Sequence, residues 1–159
     1  MNSIDRVREY LTPYGVADRI RELDENTATV ELAAAALGVE PGRIAKTLSF
    51  MAGEQPVFIV AAGDARVDNR KYKAQFGCKA RMMTAEELAT LTGLRFGGVC
   101  PFALPECVHV YLDRSLLAWD IVYPACGTDN SAIPLTVSEL EKCSRAKGII
   151  DIARERADS

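Results

Sequence analysis

A chain of 159 residues, 48% hydrophobic and 26% charged, has the makeup of one globular domain with a sizeable core, neither disordered nor fibrous. A net charge of −3 argues against a protein that coats nucleic acid indiscriminately, because that affinity comes mostly from neutralised phosphates. No run approaches the roughly 18 to 20 apolar residues of a membrane span, and the first residues lack the apolar stretch of a signal peptide. A single domain over residues 1–159 in a cytoplasmic setting is therefore expected.

Ile4, Val7 and Leu11 fall at helical spacing, and Pro13 with Gly15 ends that helix. A short strand is predicted around Arg19 to Leu23. Thr29 caps a helix over Val30 to Leu37, where alanines favour helix and Gly38 suits the stop. Pro41-Gly42 then turns the chain into a strand, Gly42-Arg43-Ile44-Ala45-Lys46-Thr47-Leu48-Ser49-Phe50. Lys46 stands alone among its apolar residues. An ammonium that is half buried needs an anion or a dipole to face, although a strand lysine also commonly lays its stem on the sheet and its head in water.

Gly53 marks a hairpin turn, and Pro56 to Ala62 reads as a central strand closed by Gly63-Asp64. Asp68 or Asn69 caps a basic helix that runs through Gln75 and ends at Gly77. From Asp64 to Arg81 the chain carries Arg66, Arg70, Lys71, Lys73, Lys79 and Arg81 against Asp64 and Asp68, with Tyr72 and Phe76 interleaved. Such a patch can receive one end of an RNA; the plainer reading is a solvated helix face.

Ala80 to Met83 is a further strand candidate, and Thr84-Ala85-Glu86-Glu87 is a capping box that starts a helix to about Leu91, before Gly93. The loop Phe96-Gly97-Gly98-Val99-Cys100-Pro101-Phe102 follows. Adjacent glycines let backbone approach a ligand closely, and N–H groups held that way grip a carbonyl or a phosphate; paired glycines also serve as plain tight turns. Strands are predicted over Val108 to Leu112 and Ile121 to Tyr123, with a helical turn over Asp113 to Leu117 between them. A turn over Cys126 to Asn130, a short strand near Ala132 to Leu135, a second capping box at Thr136 to Glu139, a strand over Gly148 to Ile152 and a loose tail from Ala153 to Ser159 complete the chain. Hairpins and isolated helices outnumber strand-helix-strand alternation. That pattern gives an α+β fold with a mixed, mostly antiparallel sheet and helices packed around it.

Cys78, Cys100, Cys107, Cys126 and Cys143 form no C-x-x-C pair, so reduced thiols are expected and no metal is assigned; no organic cofactor is expected either. His109 is the only histidine and is flanked by valines, so neither a Ser-His-Asp arrangement nor a histidine partner for a Cys100 nucleophile is evident. Trp119 and Tyr123 read as core or rim packing.

Taken together, Gly42 to Phe50, Ala61 to Asp68, the loop Gly97-Gly98-Val99-Cys100-Pro101-Phe102 and Val110-Tyr111-Leu112-Asp113 resemble, in order and spacing, the YbaK family. That family includes the editing domain inserted in bacterial prolyl-tRNA synthetases. The likeness runs from about Glu25 to Leu140 and implies the family's partly barrel-like fold. It further implies hydrolysis, in trans by a free-standing member, of the ester between a wrong amino acid and the terminal adenosine of a tRNA, with cysteine or alanine on tRNA-Pro as leading substrates.

By the same resemblance Lys46 positions the terminal nucleotide, and the loop from Gly97 through Gly98, Val99 and Cys100 to Pro101 holds the aminoacyl group through its backbone, with Lys46 and Gly98 as the catalytic pair. Thr47, Asp113 and Gly127 belong to the substrate pocket, and Arg66, Arg70, Lys71 and Lys73 touch the tRNA. The implied mechanism is substrate-assisted, with a bound water, loop N–H groups at the oxyanion and the neighbouring ribose hydroxyl. The implied partners are the acceptor end of an aminoacyl-tRNA and a synthetase, with no membrane and no DNA. Two positions depart from the family pattern: Cys100 stands where many members have a small hydroxyl residue, and Ala103 where glycine is frequent. Two rivals are a non-catalytic adaptor for tRNA or a synthetase, and a hydrolase of another small ester or nucleotide.

Overall fold

A computed structural model describes residues 2–154. The elements in chain order are α1 (Ser3–Leu11), β1 (Arg21–Glu22), α2 (Val30–Leu37), β2 (Ile44–Ala52), β3 (Gln55–Ala62), β4 (Arg66–Val67), α3 (Asn69–Phe76), α4 (Ala85–Thr92), β5 (His109–Asp113), β6 (Ile121–Pro124), β7 (Ser131–Ala132), β8 (Leu135–Thr136), α5 (Val137–Ser144), β9 (Ile149–Ile150) and β10 (Ala153–Arg154).

Side chains capping the helix starts fix where each helix begins. Asn2, Thr29 and Asp68 accept amide hydrogens in the first turns of α1, α2 and α3, while Thr84 with Glu87 and Thr136 with Glu139 form complete capping boxes on α4 and α5. Each such cap stabilises by about 1 kcal/mol. Gly38, Gly77 and Gly93 end α2, α3 and α4 in the left-handed conformation.

Six strands form one mixed, curled sheet in the order β8-β6-β2-β3-β5-β9. The β2–β3 hairpin is antiparallel from Ala45↔Ala62 to Ala52↔Gln55, whereas β6 joins β2, β5 joins β3 and β9 joins β5 in parallel. Two small antiparallel pairs, β1 with β7 and β4 with β10, tie down the periphery. The core covers both faces of β3, since successive strand side chains alternate: Phe58, Ile59 and Val60 are fully buried together with Leu112, Leu116, Val122, Ile133, Leu135 and Leu140. A smaller cluster of Ala33, Ala34 and Ile44 seats α2 against the start of β2, with Val30, Leu37 and Tyr123 packed on it.

Several boundaries differ from expectation. The strand near Ala132 to Leu135 is two strands that pair with different partners, Ala132 with Arg21 and Leu135 with Val122; Pro134 between them has no N–H to offer a ladder. Ala80 to Met83 makes only one bridge, Phe50↔Met82. The strand over Gly148 to Ile152 shrinks to Ile149–Ile150, because the amides of Ile152 and Ala153 are drawn to the Asp113 carboxylate. Ala153 and Arg154 are not tail but the strand β10 against β4, and the rest of that tail, residues 155–159, lies outside the described residues.

Candidate active site

Lys46 sits in the middle of β2, opposite Ala61 of β3. Its Nζ donates to the carbonyls of Gly63 (3.4 Å) and Ala65, just past the end of β3. The ammonium therefore faces backbone dipoles. Burial holds its pKa below the ordinary lysine value; Asp64 partly opposes that shift and Arg66 adds to it. Gly63 is part of this cradle, since a Cβ there would collide with the Pro41 carbonyl oxygen and the Val30 side chain.

A cleft of about 180 Å³ opens beside this strand. Its floor is β2 from Ile44 to Ser49, one wall is the start of α2 with the segment before it (Thr27 to Val30, and Ala33), and the other is Phe96, Gly97 and Val99 of the glycine loop. Tyr123, Ala125, Ser131 and Ala132 close it at the β6 end, and Met82 borders it at the far end of β2. Phe96 and Met82 are each 50% exposed. Lys46, Thr47, Gly97 and Val99 are thus brought together. Among the described residues, the Thr47 and Ser49 hydroxyls are buried without a hydrogen-bond partner, an arrangement that costs roughly 1–3 kcal/mol per group.

Other expected site residues fall elsewhere. Gly98 turns away from Lys46. Its N–H donates to the Arg95 carbonyl at 3.0 Å, and it lines a neighbouring hollow with Gly127, Thr128 and Asp129. A Cβ on Gly98 would press on the Thr128 backbone at 3.0 Å, and one on Gly127 would press on Ser3 at 3.0 Å, so glycine here serves close loop packing. Cys100 and Pro101 are buried behind the loop. Burial pushes the Cys100 thiol up to about 12, which leaves it protonated at neutral pH.

Asp113 is 1% exposed and accepts amide hydrogens from Ser115 (2.9 Å), Ile152 (2.8 Å) and Ala153 (3.1 Å), which fastens the chain end to β5. It borders a separate depression with Lys71 and Asp151. Lys71 is ion-paired to Asp151 at 2.9 Å, and Arg81 to Glu87 at 3.0 Å. Arg70 and Lys73 share a further hollow with Lys79, and among the described residues none of these three is salt-bridged. Arg66 lies on β4, opposite Arg154 of β10. His109 begins β5 and does not border the cleft.

The walls contributed by α2, Met82, Tyr123 and Ser131 were missed in the sequence, although Thr29 as a cap fixed where α2 starts. Nothing local in the sequence shows that these segments face Lys46.

The α+β fold, with its curled six-strand sheet and surrounding helices, matches that of a trans-editing domain. The crystal structure of a proposed trans-editing enzyme for prolyl-tRNA synthetase matches it with a TM-score of 0.87 and 32% identity, over 97% of this chain and 98% of that one. The chain belongs to the aminoacyl-tRNA editing domain family, whose sequence profile matches residues 24–143. It is 46% identical to the uncharacterised protein YwhH of Bacillus subtilis strain 168, over 96% of this chain and 98% of that protein. It is also 33% identical, over 57% of its length, to the proline–tRNA ligase of Aquifex aeolicus strain VF5, of which the match spans 16%. Among the described residues, no helix is long and apolar enough to cross a membrane.

Proposed function

We propose that the protein is an aminoacyl-tRNA deacylase that acts in trans, removing cysteine or alanine from mischarged tRNA-Pro. The observation that carries this reading is that the Lys46 strand and a wall made by Gly97 and Val99 border one cleft of about 180 Å³. That cleft suits a small aminoacyl group better than a bulky one.

In this reading Lys46 holds the terminal nucleotide, with its ammonium directed by the Gly63 and Ala65 carbonyls. Gly97 and Val99 confine the aminoacyl group, and Thr47 contacts it from the strand. A water attacks the ester carbonyl carbon, the carbonyl oxygen takes the negative charge, and the C–O bond to the ribose breaks as the ribose oxygen regains a proton. No side-chain nucleophile is invoked; backbone dipoles and the neighbouring ribose hydroxyl serve instead. The protonated Cys100 thiol is consistent with that scheme. Arg70 and Lys73, with Lys79 beside them, bind tRNA phosphates. Gly98, Gly127, Arg66 and Lys71 shape and brace the surroundings.

The test is release of amino acid from tRNA-Pro charged with cysteine, alanine or proline. Release from cysteinyl- or alanyl-tRNA and sparing of prolyl-tRNA is expected, with loss on Lys46→Ala. Tight tRNA binding without release from any of the three would make the protein an adaptor instead.

A further inference from the structure

β2 has a gap in its pairing, and the gap coincides with the cleft. On the edge away from β3, the strand is joined to β6 only at Ile44 and Ala45. Pairing resumes at its far end, where the Ser49 carbonyl accepts from the Met83 N–H and the Met51 N–H donates to the Arg81 carbonyl, both at 2.9 Å. Backbone groups of successive strand residues point to opposite edges, so residues two apart share an edge. The residue in phase with Ser49 and Met51 is Thr47, so its N–H and C=O point into the gap.

No ladder or loop hydrogen bond reaches either group among the described residues. A donor and an acceptor left open together on a half-buried strand are uncommon. Beside them the Thr47 and Ser49 hydroxyls are also unpartnered.

We propose that this gap binds the aminoacyl group as though it were the missing strand residue opposite Thr47, and that the site therefore requires a free α-ammonium. The inference rests on the cleft being the aminoacyl-ester site. An α-aminoacyl ester carries N–Cα–C=O in the same covalent order as one residue of a strand. Its ammonium donates to the Thr47 carbonyl, and its ester carbonyl accepts from the Thr47 N–H, the reciprocal pair of an antiparallel ladder.

Direction follows from that pairing. An antiparallel partner sends its ester side toward Lys46, where the nucleotide is to be held. Its amino side runs toward Ser49, where Met83 already occupies the edge. An acyl group on the nitrogen would run into that segment and remove the positive charge that strengthens the bond to the carbonyl. N-acylated aminoacyl esters, peptidyl esters among them, are therefore excluded. Directly opposed residues also place their side chains on one face, so an L-aminoacyl side chain is turned to the face that carries the Thr47 and Ser49 hydroxyls.

The experiment uses 3′-deoxy-3′-(L-alanylamino)adenosine, whose amide resists hydrolysis, and its N-acetyl derivative, with the Thr47 amide followed by NMR in the full-length protein. The free-amine compound is expected to move the Thr47 amide resonance and to bind at least about 10-fold tighter than the acetylated one, the effect of one charge-assisted hydrogen bond. Equal affinity for the two compounds, no binding of the free-amine compound, or binding that leaves the Thr47 amide unmoved would each overturn the proposal. A parallel assay compares hydrolysis of alanyl-tRNA with N-acetyl-alanyl-tRNA. Equal rates would also overturn it, whereas hydrolysis of neither counts against the deacylase reading and leaves the gap to be decided by the binding data.

Discussion

The Nζ of Lys46 donates to the Gly63 carbonyl at 3.4 Å, so the charge of the cleft is held by backbone rather than by a carboxylate. Because burial lowers its pKa below 10.5, the unfolded chain binds this proton more tightly than the folded one. Between the lowered value and 10.5, stability then rises with pH as the buried charge is lost. Binding of uncharged tRNA is expected to weaken over the same window, at a pH below that of an ordinary lysine, and Lys46→Arg is expected to remove that alkaline decline. Lys46→Ala is expected to slow deacylation by on the order of 10², the effect of losing one preorganised donor. Wild type and Lys46→Arg sharing one pH profile would show that another group titrates.

Asp113 is a fastener in this structure. Removing its carboxylate leaves the amides of Ser115, Ile152 and Ala153 without their acceptor, and Asp113→Ala is expected to lower unfolding free energy by about 3 kcal/mol, read from the urea midpoint. KM for charged tRNA should stay put under conditions where the variant is folded. A raised KM with unchanged stability would instead place Asp113 against the substrate.

Ala103 adopts φ 57°, a left-handed conformation that an L side chain resists at a cost of roughly 1–2 kcal/mol. Ala103→Gly relieves it but frees the unfolded chain by about 0.5–1 kcal/mol. A net stabilisation of roughly 0.5–1 kcal/mol is expected by calorimetry. Lower stability would mean that the Ala103 methyl packs in a way that outweighs its backbone strain.

The basic segment divides by partner. Arg70→Ala and Lys73→Ala are each expected to flatten the dependence of log K for tRNA on log salt by about 0.7–0.9 for each phosphate no longer neutralised. Lys71→Ala is expected to leave that slope alone, because its ammonium is already paired with Asp151, and to cost less than about 1 kcal/mol of stability. A slope change for Lys71 alone would reverse the assignment.

What could be read ahead of the structure was local chemistry. The caps at Thr29, Asp68, Thr84 and Thr136 placed α2 to α5 within a residue or so, because a capping side chain and its target amides are three residues apart or fewer. The lysine strand and the glycine loop were legible as motifs, and they do share a cleft. Harder to foresee was anything decided by distant segments. Pro134 splits one expected strand between β1 and β6, and Asp113 draws in residues at the other end of the chain. Gly98 and Gly97 are adjacent, yet they open onto different hollows, since a left-handed turn at Gly97 (φ 95°) rotates the next peptide away. The gap at Thr47 is likewise a property of which edges β6 and Met82 leave uncovered, and no residue of β2 announces it.

The seam between β2 and β6 has a bearing on how the protein matures. Ile44 must wait for Tyr123, which emerges from the ribosome long afterwards, and pairings so distant in sequence form slowly. The hairpin of β2 and β3 can close early by itself, exposing Lys46 on a half-made surface. Only when the second half of the chain arrives does the cleft gain the wall of Phe96, Gly97 and Val99 and its β6 end, so a prematurely terminated polypeptide would carry the lysine without a chamber around it.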